Sequence, residues 1–180
     1  MDRRIVRSQK LIQEAFLALL TEKEFDEITV KDVTDRADIS RKTFYLHYVD
    51  KYDLLDVIIN KLIEELDQIC EQKKEKGMIE GTVIWFRYFE NNKAFFAALF
   101  HSDSTVSFRK LLLNFMEEQL RKKMASMGEG QADEIVVHFL GMAVLGVMES
   151  YVLDRIEGTT EEIAKKVGNL MERTIALEYS

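Results

Sequence analysis

Apolar residues recur along this chain at steps of three and four, the period of a helix that buries one face. Ile12, Ala15, Phe16, Leu19 and Leu20 mark the first such element, predicted over residues 4–22. Two shorter helices follow at 29–37 and 40–47, on either side of Ala37-Asp38-Ile39. Asp tolerates the left-handed conformation in which helices often end, so Asp38 suits a tight turn. Thr29 and Asp32 have the spacing of a capping box, and Ser40 offers a hydroxyl to the start of the second short helix. Asp50 caps a longer helix whose stripe is Leu55, Ile59, Leu62, Leu66 and Ile69. At about 25 residues that helix would be roughly 37 Å long. It ends at Lys73-Lys74-Glu75-Lys76-Gly77, with bases and a glycine where a helix C-terminus favours them. Five more helices are predicted, at about 78–90, 93–101, 105–126, 131–154 and 160–178. The breaks between them fall at Asn91-Asn92, 102–104, 126–130 and 157–159, and Thr159 with Glu162 repeats the capping box. No stretch alternates as a strand would, so the expected class is all-α with about nine helices.

Composition supports this reading: 180 residues include no proline, the strongest helix breaker. The single cysteine, Cys70, excludes an internal disulfide framework and a Cys-based zinc site. The N-terminal MDRRIVRSQK leads into no uninterrupted apolar segment. The most apolar run, Ile135 to Met148, contains His138 and is shorter than the roughly 20 residues that span a bilayer. A cytoplasmic protein without a membrane partner is the expectation. Chemistry for catalysis is also missing from the pattern. His47, His101 and His138 have no metal-ligand spacing, and Gly128-Glu129-Gly130 lacks the lysine and length of a P-loop. Glu64-Glu65 and Glu161-Glu162 are adjacent pairs that diverge on a helix. No catalytic residue, metal or cofactor is expected.

Two short helices joined by a tight turn, the second rich in donors, form the helix-turn-helix arrangement that enters a DNA major groove. The net charge of −7 points the other way until it is divided along the chain. Residues 1–51 carry ten Lys/Arg and ten Asp/Glu, which cancel, so the remaining 15 bases and 22 acids hold the whole −7. Arg3, Arg4, Arg7, Lys10, Arg41, Lys42 and Lys51 can gather on one face, with Asp32 and Asp35 elsewhere. The acidic remainder repels non-specific DNA, so the contact is confined to a small basic head.

Ile5 to Leu55 resembles the DNA-binding domain of the TetR family of bacterial transcription regulators. The carrying residues are Ile12-x-x-Ala15-Phe16, Phe25, Ile28-Thr29-Val30, Val33, Ala37, Ser40, Thr43-Phe44-Tyr45-x-His47-Tyr48 and Asp50-Lys51-x-Asp53-Leu54-Leu55. Glu24, Asp38, Lys42 and Leu46 depart from residues common in that family, which affects the sequence read more than the binding of DNA. The resemblance implies a head at 1–50 and an effector-binding, dimerising body at 51–180. Thr29 and Lys51, at helix starts, would meet phosphates, and Tyr45 and His47 the DNA backbone. Ser40 opens the recognition helix, where Arg41 and Lys42 would reach guanine edges and Thr43 a base or thymine methyl. Phe44 and Tyr48 would face inward, against Val33, Phe16 and Leu20.

The family's middle helices enclose an apolar effector cavity. Here the aromatic-rich stretch offers Trp85, Phe86, Phe89, Phe96, Phe100 and Phe115, with Arg87, His101 or His138 as a polar anchor. The alternative is plain core. An apolar or aromatic small molecule is the implied effector. The run from Ile135 to Met148 is apolar nearly all round, so one face needs a partner. With the last helix it offers Leu140, Val144, Val147, Tyr151, Ile163, Val167, Leu170 and Thr174 to a four-helix homodimer contact. A central helix buried within one monomer is the competing reading. The functional expectation is a ligand-released repressor on a palindromic operator in double-stranded DNA. A TetR-fold co-activator that reaches DNA through a protein partner is the alternative.

Overall fold

A computed structural model describes residues 3–72, 75–101, 106–126 and 132–178, and among these residues every regular element is helical. The predicted ending at Lys73-Lys74, the break at 102–104 and Gly128-Glu129-Gly130 lie outside the described residues. The N-terminal helices are α1 (Arg3–Leu20), α2 (Val30–Ala37) and α3 (Arg41–Tyr45). The long α4 (Lys51–Gln72) leads into α5 (Met78–Asn91), α6 (Lys93–His101), α7 (Val106–Ala125), α8 (Glu134–Val152) and α9 (Thr160–Glu178). A short 3-10 turn at Phe25–Glu27 was not foreseen. It buries the Phe25 ring edge-on to Phe16 and Tyr52, at centroid distances of 6.2 and 5.2 Å.

The capping chemistry sets the boundaries. Thr29 Oγ1 accepts from Asp32 N–H at 3.1 Å while Thr29 N–H donates to the Asp32 carboxylate at 2.8 Å, which starts α2. Asp38 ends it at φ 53° and ψ 49°. Its N–H donates to Asp35 O and that of Ile39 to Thr34 O, the paired bonds of a Schellman ending. Ser40 Oγ then accepts from Thr43 N–H at 3.0 Å, and Asp50 Oδ1 accepts from Tyr52 and Asp53 N–H at 2.8 and 2.9 Å. The second capping box holds as well, with Thr159 N–H 3.0 Å from Glu162.

One apolar core runs without interruption from Ile12 and Phe16 in α1, through Leu54, Ile59 and Leu66 in α4, to Ile175 in α9. The head is thus bonded by packing to the body, with α1 also touching α6. In the body α4 packs on α7, α7 on α8, and α5 closely on α9. Gly168 permits that last approach, because a Cβ there would lie 2.8 Å from Ile79 Cα. By length and composition α8 is apolar enough to cross a membrane, but it packs on α6, α7 and α9, with 44% of its apolar window buried.

Candidate DNA interface and effector cavity

In the head, Phe44 is fully buried and Tyr48 nearly so, which turns the opposite side of α3 to solvent. Arg41, Lys42 and Tyr45 are exposed there, and Thr43 is half-buried with its hydroxyl 2.9 Å from that of Ser40. His47 Nε2 lies 2.7 Å from Ser8 Oγ, which sets the N-terminal turns of α1, with exposed Arg3, Arg4 and Arg7, beside the end of α3. Tyr48 OH accepts from Gln13 Nε2 at 2.8 Å, a second tie between α1 and the turn after α3.

Three acids of the head, Asp32, Asp35 and Glu22, are paired with bases within it. Thr29 and Lys23 hold the Asp32 carboxyl far below the usual carboxylate range, with Lys23 Nζ 2.9 Å away. Asp35 pairs with Lys31, and Arg36 makes a two-pronged contact with Glu22 at 2.6 Å. Thr29 itself is exposed at the start of α2. Lys51 is placed differently from a free phosphate ligand. Its ammonium donates to Phe25 O and Asp26 O at 3.0 and 2.9 Å and sits 4.7 Å above the Phe25 ring, which clamps the start of α4 to the 3-10 turn.

The body contains a cavity of about 580 Å³ between the ends of α4 and α7 and the start of α5. Its buried walls include Trp85, Phe86, Met116, Leu120, Met148 and Met171. Of the aromatic and histidine candidates, only Trp85 and Phe86 line it. Phe89 and Phe96 stack at 4.1 Å, and Phe108 meets Phe96 and Phe100 at 6.1 and 5.4 Å, so this cluster is solid core. Phe115 stacks on Trp85, 5.8 Å away and 7° from parallel. The polar anchors fall elsewhere: His101 is exposed, Arg87 pairs with Glu161, and exposed His138 holds Glu117 at 2.6 Å. Periodicity identified which residues are apolar, whereas the void depends on how helix ends diverge.

The α8/α9 candidates divide by burial, residue by residue. Leu140, Val144, Tyr151, Ile163 and Val167 are buried within the chain, because they pack α8 and α9 onto their own neighbours. Val147 and Thr174 are half-buried, and Leu170 is 64% exposed. The outward apolar side comprises Ile135, Phe139 and Met142, which are 79, 62 and 50% exposed, together with Leu170 and Leu177. Their spacing along α8, steps of four and three, was visible in the sequence. Choosing between two apolar faces was not.

Comparison with known proteins matches residues 12–58 to bacterial regulatory proteins of the tetR family, and residues 76–173 to a transcriptional regulator C-terminal region. The chain is 42% identical over 66 residues to the HTH-type transcriptional regulator YxbF of Bacillus subtilis, covering 36% of this chain and 17% of that protein. It is 29% identical over 96 residues to the HTH-type dhaKLM operon transcriptional activator DhaS of Lactococcus lactis, covering 53% of this chain and 50% of that one. The match thus spans half or less of either relative. Among solved structures, the dihydroxyacetone kinase operon activator DhaS superposes with a TM-score of 0.73 at 21% identity, over 94% of this chain and 97% of that one. A TetR transcriptional regulator from Streptococcus agalactiae gives 0.73 at 23% identity, over 94 and 96%.

Proposed function

The chain belongs to the TetR family of bacterial transcriptional regulators, and from that premise we propose that it works as a homodimer on an inverted-repeat operator, released when an apolar small molecule fills the body cavity. The observation that carries the DNA reading is the α3 surface. Arg41, Lys42 and Tyr45 project from a capped helix whose inner side is anchored by Phe44 and Tyr48. Arg41 and Lys42 suit guanine edges, and Thr43 a thymine methyl; Thr29, Ser40, Tyr45 and His47 suit the backbone. Lys51 retains one ammonium proton for a phosphate while it holds Phe25 and Asp26. A cytoplasmic location follows from this work on DNA.

Pairing two heads requires an interface, and the outward apolar side of α8 and α9 supplies one. Ile135, Phe139, Met142 and Leu170 would meet their copies across a two-fold axis and set two α3 helices about 34–36 Å apart. The link between the sites is α4. Its first turn is clamped to the head by Lys51, and its far end contributes Cys70 and Glu71 to the cavity. A ligand that shifts that end changes head spacing, with a coupling of about 1–3 kcal/mol.

Repression is the reading we adopt. Activation through a protein partner has support from DhaS, which is named an activator, and from Leu46 and Val49, 72 and 78% exposed on the head. Selection of the purified protein on a randomised duplex pool at two salt concentrations tests the choice. An enriched inverted repeat whose binding weakens with salt supports the operator reading. No enrichment by a folded dimer overturns it in favour of the partner-dependent one.

A further inference from the structure

The cavity's polar wall groups are already engaged. Thr82 Oγ1 donates to Met78 O, Trp85 Nε1 to Cys70 Sγ, and Gln119 Nε2 to Asp67. The hydrogen-bonding capacity left for a guest lies at the exposed end, where Lys76, Lys122 and Lys123 line the opening. Lys76 pairs with Glu80, and Lys122 lies 4.0 Å from Glu118. Lys123 is half-buried and has no ion pair among the described residues. Glu71, the acid on the same rim, already engages another group. Of the three cations at the mouth of this aromatic and methionine-lined pocket, two therefore have acidic partners and Lys123 has none among the described residues.

We propose that the cavity takes an anionic amphiphile, a flexible aliphatic tail with a carboxylate or phosphate head held by Lys123 at the rim. This deepens the effector reading above and rests on it. A desolvated apolar guest without a head group would leave Lys123 facing an apolar tail, whereas an anion supplies the missing counter-charge. The methionines, flexible at three bonds, let the wall follow a bent chain. At 580 Å³ the space lies within the roughly 300–1,000 Å³ of small-molecule pockets.

Trp85 is the chain's one tryptophan and lines the cavity, so its emission reports occupancy directly. The full-length protein is titrated with decanoate, decyl phosphate and decanol, and with hexanoate and hexanol as a shorter pair. The expected result is binding of decanoate or decyl phosphate about tenfold tighter than decanol at low salt. The tighter of the two anions identifies the head group. Lys123→Met should bring the anion down to the level of the alcohol with the melting temperature retained, and Lys123→Arg should restore the preference. Equal binding of acid and alcohol overturns the anion assignment but leaves the apolar cavity as an effector site. Failure of every probe to alter Trp85 emission overturns both.

Discussion

Asp38 and Asp154 hold positive φ angles of 53° and 55°, and each ends a helix with the same pair of bonds. Asp154 N–H donates to Tyr151 O and Arg155 N–H to Ser150 O, as Asp38 and Ile39 do at the end of α2. A Cβ in this conformation is unfavourable, and glycine avoids the cost. Asp38→Gly should therefore stabilise the head by about 0.5–1 kcal/mol, read as a higher denaturation midpoint with an unchanged slope. Asp32 responds to pH. Thr29 and Lys23 lower its folded-state value, so its contribution is present above the ordinary value of 3.8 and disappears as pH falls through and below it. Asp32→Asn should flatten that acid-side loss in a pH series of thermal melts, and an unchanged profile would remove Asp32 from the explanation. The Thr-x-x-Asp and Thr-x-x-Glu boxes and the Asp38 turn were readable directly, because caps depend on neighbours within three residues. The Asp154 ending was missed: the apolar signal of α8 fades gradually, and its last carbonyls are not visible in a residue pattern.

Among helices, α5 packs closely against α9. The 2.8 Å approach at Gly168 involves the Ile79 backbone, which no rotamer change relieves. Gly168→Ala should cost about 1–3 kcal/mol and loosen the α5 start that borders the cavity, measurable by urea unfolding. In α3 the two sides are separable. Tyr45→Ala should weaken operator binding at nearly constant stability, since the residue is 57% exposed. Arg41→Ala should cost about 1–3 kcal/mol of binding and relax base preference at one position. Lys51→Ala differs from both, because losing its contacts with Phe25 and Asp26 should lower thermal stability along with affinity. A variant that keeps its melting temperature would show that the clamp contributes little.

Assembly is decided on the outer side of α8 and α9. Replacing a 62% exposed phenylalanine by a charge does not disturb the monomer's core, so Phe139→Lys tests the interface cleanly. Sedimentation should show self-association weakened by about tenfold or more, with loss of inverted-repeat binding. An unaltered dimer mass would place the contact elsewhere. The charge distribution acts at this level too. Acids of the body oppose binding to random DNA, and what non-specific binding remains is electrostatic, so salt should weaken it at least as steeply as the operator complex, which also has base contacts.

Helix positions, caps and the donor-rich α3 follow from contacts within one or two turns, which a linear pattern encodes. The family resemblance in the head rests on such local features and is borne out by the family match across 12–58, whereas the match across 76–173 lies where no local motif stood out. Three things waited for the packed chain. Lys51 became a clamp because the 3-10 turn at Phe25–Glu27 brings two carbonyls within its reach. The aromatic cluster became solid core at Phe89, Phe96 and Phe108, while the void formed beside Trp85 and Phe86. Of the two apolar sides of α8, the one bearing Leu140 and Val144 turned inward and the one bearing Phe139 stayed outside. Hydrophobicity says that a face is buried but not against what, because the partner surface is assembled from residues far apart in the chain.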